Sequence, residues 1–158
     1  MVDFVSSRYR PCVGLMIVND KRSIFTGQRL DNRSLAWQMP QGGIENGEDP
    51  LTAAYRELCE ETSITRTKVE LLAVSKNWLS YDLPSHLVPN LWNGSYIGQT
   101  QKWFLMRFIG TDLDINLKTE TPEFSSWRWS NKTDLVNSIV SFKKQLYETL
   151  IEEFKIYL

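Results

Sequence analysis

The stretch Gly42-Gly43-Ile44-Glu45-Asn46-Gly47-Glu48-Asp49-Pro50-Leu51-Thr52-Ala53-Ala54-Tyr55-Arg56-Glu57-Leu58-Cys59-Glu60-Glu61-Thr62-Ser63-Ile64 decides the fold. Asp49 before Pro50 has the form of an N-cap followed by proline at the first helical position, where the missing N–H costs nothing and φ is already helical. Leu51, Ala54, Tyr55 and Leu58 then recur at helical spacing, which predicts a helix running to about Thr62. At about 100° per residue, with Leu51 at zero, Ala54, Tyr55 and Leu58 fall within about 60°, whereas Glu57, Glu60 and Glu61 lie about 80–180° away on the adjoining face. The helix has an apolar stripe and, beside it, carboxylates at i, i+3 and i+4, with Glu48 just ahead of its start. Like charges at that spacing destabilise an isolated helix by about 0.2–0.5 kcal/mol per pair. A solvated acidic face is one account of the cluster. The other is a hard cation, because magnesium takes oxygen ligands and is commonly shared between protein carboxylates and substrate phosphates.

Outward from this helix the pattern mixes strands and helices. Cys12–Val18 and Ser23–Gln28 are β-prone runs separated by Asn19-Asp20, which predicts a hairpin. Val69–Trp78 and Thr100–Ile109 read as long strands, and the breakers Pro84, Pro89, Asn90, Asn93 and Gly94 predict a loop over Ser80–Gly98. Long ordered loops in small domains are often functional. Phe142, Leu146, Tyr147, Leu150, Ile151 and Phe154 form the stripe of a C-terminal helix with Ser141 as its N-cap, after a shorter helical turn at Leu135 and Val136. Without repeats or linkers, residues 1–158 read as one domain.

Composition narrows the chemistry. The 158 residues carry 18 Lys+Arg against 19 Asp+Glu, a formal charge of −1, with 42% hydrophobic and 23% charged residues. That excludes intrinsic disorder and a protein that coats long nucleic acid, though not one that recognises a single end. The apolar run Cys12–Val18 is too short to span a bilayer. The first eight residues lack the basic start and apolar core of a signal peptide, so a cytoplasmic location is expected. Cys12 and Cys59 belong to no paired motif and read as two buried reduced thiols, and His86, the single histidine, excludes a multi-histidine metal site.

The spacing Gly42-x5-Glu48-x7-Arg56-Glu57-Leu58-x-Glu60-Glu61-x-x-Ile64 resembles the signature of the Nudix hydrolases, G-x5-E-x7-R-E-U-x-E-E-x-G-U with U aliphatic, across the box 42–64. Eight of its nine defined positions are present, a coincidence with a chance probability on the order of 10⁻⁸ per start at ordinary residue frequencies. The departure is Ser63 where the family has glycine, at a helix end where a left-handed cap is expected; serine there costs on the order of 1 kcal/mol of local strain. Further similarity lies in Tyr9-Arg10-Pro11, Trp37–Gly43, Asn77-Trp78-Leu79, Gly98–Phe104, Thr121–Phe124, Trp127-Arg128-Trp129 and Val140–Lys143. Together these resemble the RNA pyrophosphohydrolase subgroup, which overlaps with dinucleoside polyphosphate hydrolases.

The resemblance implies an α/β fold, an α/β/α sandwich around a mixed β-sheet, with the box as a loop, helix and loop. It implies Mg2+, with Mn2+ or Zn2+ as substitutes, held by Glu57, Glu60, Glu61 and Glu123 with the carbonyl of Gln41 or Gly42. Arg56 would orient the glutamates, and Glu57 and Glu123 are both candidate bases. Arg10 and Arg29 would contact the triphosphate and first base, and Val140, Phe142 and Lys143 would hold the second nucleotide, with Tyr81 lining the site. For Phe142, core packing of the last helix is the alternative; Trp103, Trp127 and Trp129 read as core. The implied activity is removal of pyrophosphate from the 5′ end of single-stranded RNA, leaving a monophosphate that starts decay. Cleavage of a dinucleoside polyphosphate such as diadenosine tetraphosphate is the alternative, and a catalytically inactive Nudix-fold binding module is disfavoured by the intact glutamates. No DNA or membrane partner is expected, and no residue pattern identifies a regulatory protein partner.

Overall fold

The computed structural model describes residues 8–30 and 35–158. The chain runs through β1 (Tyr9–Val18), β2 (Ile24–Arg29), β3 (Trp37–Gln38), β4 (Gln41–Gly43), α1 (Pro50–Thr62), β5 (Val69–Val74), β6 (Leu79–Asp82), β7 (Gly98–Phe108), β8 (Phe124–Ser130), α2 (Lys132–Ser138) and α3 (Lys144–Glu153). Its sheet is mixed. The central order is β3-β2-β1-β7-β5, with β4 on β1, β6 on β7 and β8 on β2. Only β1 and β7 run parallel, in register from Tyr9 opposite Gly98 to Val18 opposite Arg107; the other pairs are antiparallel.

Strand alternation divides the core between the two faces. Val13, Leu15 and Ile17 of β1 with Phe104, Met106 and Phe108 of β7 pack against Ala53, Ala54 and Leu58 of α1. Met16, Val18, Trp103 and Leu105 point the other way, into Leu135 of α2 and Leu146, Tyr147 and Leu150 of α3. Helices therefore cover both faces, as expected of the sandwich.

Helix α1 begins as its sequence predicts: Asp49 Oδ2 accepts from the backbone N–H of Leu51 at 3.1 Å and of Thr52 at 3.4 Å, ahead of Pro50. It ends at Ser63, which takes the left-handed conformation (φ 66°) that glycine ordinarily supplies. The Ser63 hydroxyl donates to the Asn116 carbonyl at 2.7 Å, a contact glycine cannot make.

Four local expectations change. The run from Val69 ends as a strand at Val74, because Ser75 turns inward: its N–H donates to the Trp103 carbonyl and its hydroxyl accepts from the Trp103 N–H. Leu79–Asp82 is strand β6, paired from Leu79 opposite Gln101 to Asp82 opposite Gly98, so the long loop is shorter than Ser80–Gly98. It holds two 3-10 turns, Val88–Asn90 and Trp92–Gly94. Ser141 does not cap the last helix; it opens a 3-10 turn, Ser141–Lys143, that carries Phe142 off the α3 stripe. Cys12 is buried, but Cys59 is exposed on the outer side of α1. Among the described residues no helix is long and apolar enough to cross a membrane. Residues 1–7, most of the stretch assessed for a leader, lie outside the described residues.

The Ser63 cap yields a test. Ser63→Ala keeps the strained φ and loses the hydrogen bond to Asn116, so it should destabilise by about 0.5–1.5 kcal/mol. Ser63→Gly loses the same bond but relieves the backbone, and should stay within about 0.5 kcal/mol of the parent. Urea unfolding of both variants checks the order; glycine as the more damaging change would refute this account of the cap.

Candidate active site

The candidate residues converge at the end of the sheet where β1 and β7 begin and α1 crosses β4. Glu57 and Glu61 are one turn apart on α1 and face the strand Gln41–Gly43. Two glycines make that approach possible: a Cβ on Gly42 would coincide with the Glu57 carboxyl, and one on Gly43 would strike the Arg10 guanidinium. On the far rim, the β2–β8 pairing shifts register after Gln28 and sets Arg29 opposite Phe124. The Leu30 N–H donates to the Glu123 carbonyl at 2.9 Å. That irregularity puts Arg29 and Glu123 at one edge.

A cavity of about 610 Å³ opens between these groups. Its lining includes Glu57, Glu61, Glu123, Gln41 and Gly42 together with Arg10, Arg29, Tyr81, Val140, Phe142 and Lys143. Phe142 is half-buried and tilts against Tyr81 with ring centroids 5.8 Å apart, so it borders the cavity as well as the core. Lys143 is only 4% exposed; its ammonium donates to Gln41 Oε1 at 3.4 Å and lies 5.4 Å above the Tyr81 ring. Arg10 stacks on Trp92 at 5.0 Å.

Arg56 and Glu60 do not line this space. Arg56 lies behind Glu57, donating to Glu48 (2.8 and 2.9 Å), Glu57 (3.0 Å), Glu60 (3.2 Å) and the Gly43 carbonyl (2.9 Å). It touches the carboxylates and holds them, which makes it a positioning residue. The Glu60 side chain is 47% exposed and rests on Arg56.

Sequence reasoning missed Gln38, Gln99, Leu83, Leu87, Leu91 and Trp92, which complete the lining. A signal was present for Gln99 and Gln101: two amides at alternate positions, on the strand face that continues with the apolar Trp103 and Leu105, need buried partners or a polar cavity.

The acidic side is strained by burial. Desolvation lifts the Glu57 carboxyl to about 7; Arg56 pulls it back, while Glu60 and Glu123 push it further up. Glu61, 4% exposed, is raised well above the usual carboxylate range by burial and then by Glu57 and Glu123. Against this, the Gln41 N–H donates to Glu61 Oε2 at 3.3 Å, and Arg29 also favours its charged form. Glu48 moves the other way, held low by its hydrogen bonds from Arg56.

Among the described residues no three Asp, Glu, His or Cys side chains converge closely enough, as they stand, to hold a metal ion. The donors are nonetheless of the right kind: hard carboxylate oxygens, neighbours in a partly dry cavity, whose mutual repulsion a divalent cation would relieve.

The comparisons with known proteins agree with this architecture. The NUDIX domain profile matches residues 8–150. The chain is 56% identical over 150 residues to the RNA pyrophosphohydrolase of Roseobacter denitrificans, covering 95% of this chain and 94% of that one. It is 52% identical over 146 residues to the RNA pyrophosphohydrolase of Rickettsia canadensis, covering 92% and 89%. Among solved structures it resembles the E. coli dihydroneopterin triphosphate pyrophosphohydrolase, with a TM-score of 0.72 at 22% identity over 92% of this chain and 98% of that one. A C. elegans Ap4A hydrolase binary complex gives 0.69 at 20% identity over the same shares. Those two likenesses concern the fold.

The raised carboxyls make metal-free stability depend on pH. Between the ordinary value of 4.5 and about 7 the native chain binds more protons at Glu57 than the unfolded chain does, so stability falls as pH rises through that window. Glu57→Gln removes this share. With chelator present, the variant should melt roughly 2–5 °C above the parent at pH 8 and level with it at pH 5. Equal shifts at both pH values in differential scanning calorimetry would show that ionisation is not the cause.

With the profile matched over residues 8–150 and curated relatives above 50% identity across nearly the whole chain, this chain belongs to the NUDIX domain family.

Proposed function

We infer that the chain is an RNA 5′-pyrophosphohydrolase, a metal-dependent hydrolase of phosphoric anhydride bonds acting at the triphosphorylated end of single-stranded RNA. The observation that carries this reading is the charge pattern of one cavity: the carboxylates Glu57, Glu61 and Glu123 and the cations Arg10, Arg29 and Lys143 line it together, with the Tyr81–Phe142 pair beside Lys143. The relatives named RNA pyrophosphohydrolases, matched along almost their full length, support the same choice.

Glu57, Glu61 and Glu123, with the Gln41 or Gly42 carbonyl, would hold a divalent cation, which we take to be Mg2+; Glu60, which rests on Arg56 outside the cavity, would join them only by turning away from that arginine. Bound there, it would offset carboxylate repulsion, screen the polyphosphate and make a water more acidic. Arg10 and Arg29 bind non-bridging phosphate oxygens through guanidinium forks. Phe142, Tyr81 and Val140 give an unstacked base an apolar wall. Net hydrolysis adds water across the α–β anhydride: one P–O bond forms, one breaks, and pyrophosphate leaves a 5′-monophosphate. The water's proton passes to a carboxylate of the site, for which Glu57 and Glu123 are the candidates. Such an enzyme works where transcripts are made and degraded, in the cytoplasm.

Side-by-side hydrolysis of 5′-triphosphorylated RNA, diadenosine tetraphosphate and free nucleoside triphosphates, with magnesium, tests the reading. RNA should give the highest kcat/KM, and excess chelator should abolish turnover of all three. Higher efficiency on diadenosine tetraphosphate would favour the dinucleotide alternative, and full activity in chelator would overturn the metal-dependent mechanism.

Phe142→Ala separates wall from core. Loss of a stacked base should lower kcat/KM on RNA by about 5- to 150-fold, the range of 1–3 kcal/mol per base, mainly through KM. Free nucleoside triphosphates should suffer less, and the melting temperature should move little because the ring is half-buried. Uniform loss on all substrates with marked destabilisation would return Phe142 to the core.

A further inference from the structure

Gln99 lies at the centre of a transverse row in the sheet: Arg10 of β1 pairs with it on one side and Tyr81 of β6 on the other. All three border the cavity, and Gln99 is 5% exposed. Its orientation follows from an unambiguous donor. The Trp103 indole N–H can only donate, and Gln101 Oε1 accepts from it at 2.9 Å. The other end of the Gln101 amide is therefore its amino group, which donates to Gln99 Oε1 at 2.7 Å and Gln41 Oε1 at 3.1 Å. Lys143, also a pure donor, fixes the Gln41 oxygen independently. With its oxygen engaged in this way, Gln99 has its Nε2 amino group at the opposite end of the amide, and among the described residues that nitrogen has no hydrogen-bond partner. Gln99 lines the cavity, so the acceptor for this donor comes from what the cavity holds.

The neighbouring charges indicate which acceptor. Arg10 lies across the strand and, among the described residues, has no carboxylate within ion-pair distance; it contacts Trp92 and the Cys12 sulfur. Lys143 reaches the same amide network through Gln41. An anionic oxygen placed between two cations gains from both, whereas a base nitrogen or carbonyl gains little.

We propose that Gln99 is a polyphosphate-binding residue, its Nε2 donating to a non-bridging phosphate oxygen of the substrate beside Arg10. The inference rests on the polyphosphate reading above and adds a neutral donor to its cations. Gln99→Glu is nearly isosteric, keeps an acceptor for Gln101 and replaces the donor by an anionic oxygen. Gln99→Met keeps length and removes the donor.

Binding of inorganic tripolyphosphate with magnesium, followed by calorimetry, is the direct test. Kd should rise at least ten-fold in Gln99→Glu and about three- to ten-fold in Gln99→Met, with the melting temperature of the methionine variant within a few degrees of the parent. On a panel of 5′-triphosphorylated RNAs differing in the first nucleotide, kcat/KM should fall by one common factor, through KM. Unchanged tripolyphosphate affinity in both variants, or a loss confined to one base, would overturn the assignment. A fall in kcat and stability with Kd unchanged would likewise reduce Gln99 to a structural role. Should the charged variant fail to fold, Gln99→Met decides alone. Parent protein that binds tripolyphosphate but leaves RNA uncleaved would count against the proposed function and not against Gln99.

Discussion

Five N–H donors on one guanidinium meet five acceptor contacts: Arg56 bonds both oxygens of Glu48, one each of Glu57 and Glu60, and the Gly43 carbonyl. That saturation ties the loop after β4 to the middle of α1 and makes the acidic face of the helix tolerable. It also fixes a direction. Glu57 Oε1 is turned to Arg56 while the carboxylate lies against Gly42, so the rest of the group faces the cavity. Among the described residues the deeper Glu61 accepts from the Gln41 N–H and from no guanidinium, and burial disfavours its charge.

The basic wall depends on packing more distant in the chain. The Tyr147 hydroxyl on α3 accepts from the Met39 N–H at 2.9 Å, anchoring the turn that leads through Pro40 into Gln41. Tyr147 itself is wedged edge-on against Trp103 of β7, and Trp103 orients Gln101. The hydrophobic core on the α3 side thus governs the amide row facing the cavity. A formal charge of −1 conceals this arrangement, in which three carboxylates and three cations line one cavity of about 610 Å³.

Helix α1, its cap and its two inward carboxylates were legible because a 3.6-residue period, an Asp-Pro start and a spaced acidic motif all describe one local object. The expected sandwich and the positions of Arg10, Arg29, Glu123 and Lys143 at one cavity came through resemblance, since pairs such as Lys143 and Gln41 are 102 residues apart and no local pattern joins them. What escaped notice depends on tertiary pairing. Strand β6 is four residues long and abuts Pro84, so its alternation was too brief to outweigh the breakers. Trp92 sits in a turn with φ 48°, a conformation composition does not forecast for an aromatic residue. Cys59 was misplaced because a thiol's frequent burial outweighed its position beside Glu60 on the polar side of α1.

Gln41 joins an acid and a base of the cavity, its backbone N–H on Glu61 and its side-chain oxygen on Lys143. The acid-bearing helix and the Val140–Lys143 segment otherwise belong to opposite faces of the sheet, packed in separate cores. Descendants of this chain can therefore diverge at the aromatic wall without repacking the helix beneath the carboxylates, and drift on either side is constrained chiefly at the one amide they have in common. Evolutionary change in what the cavity accommodates is expected to accumulate in the C-terminal segment and the loop after β6, while Gln41 resists replacement from both directions.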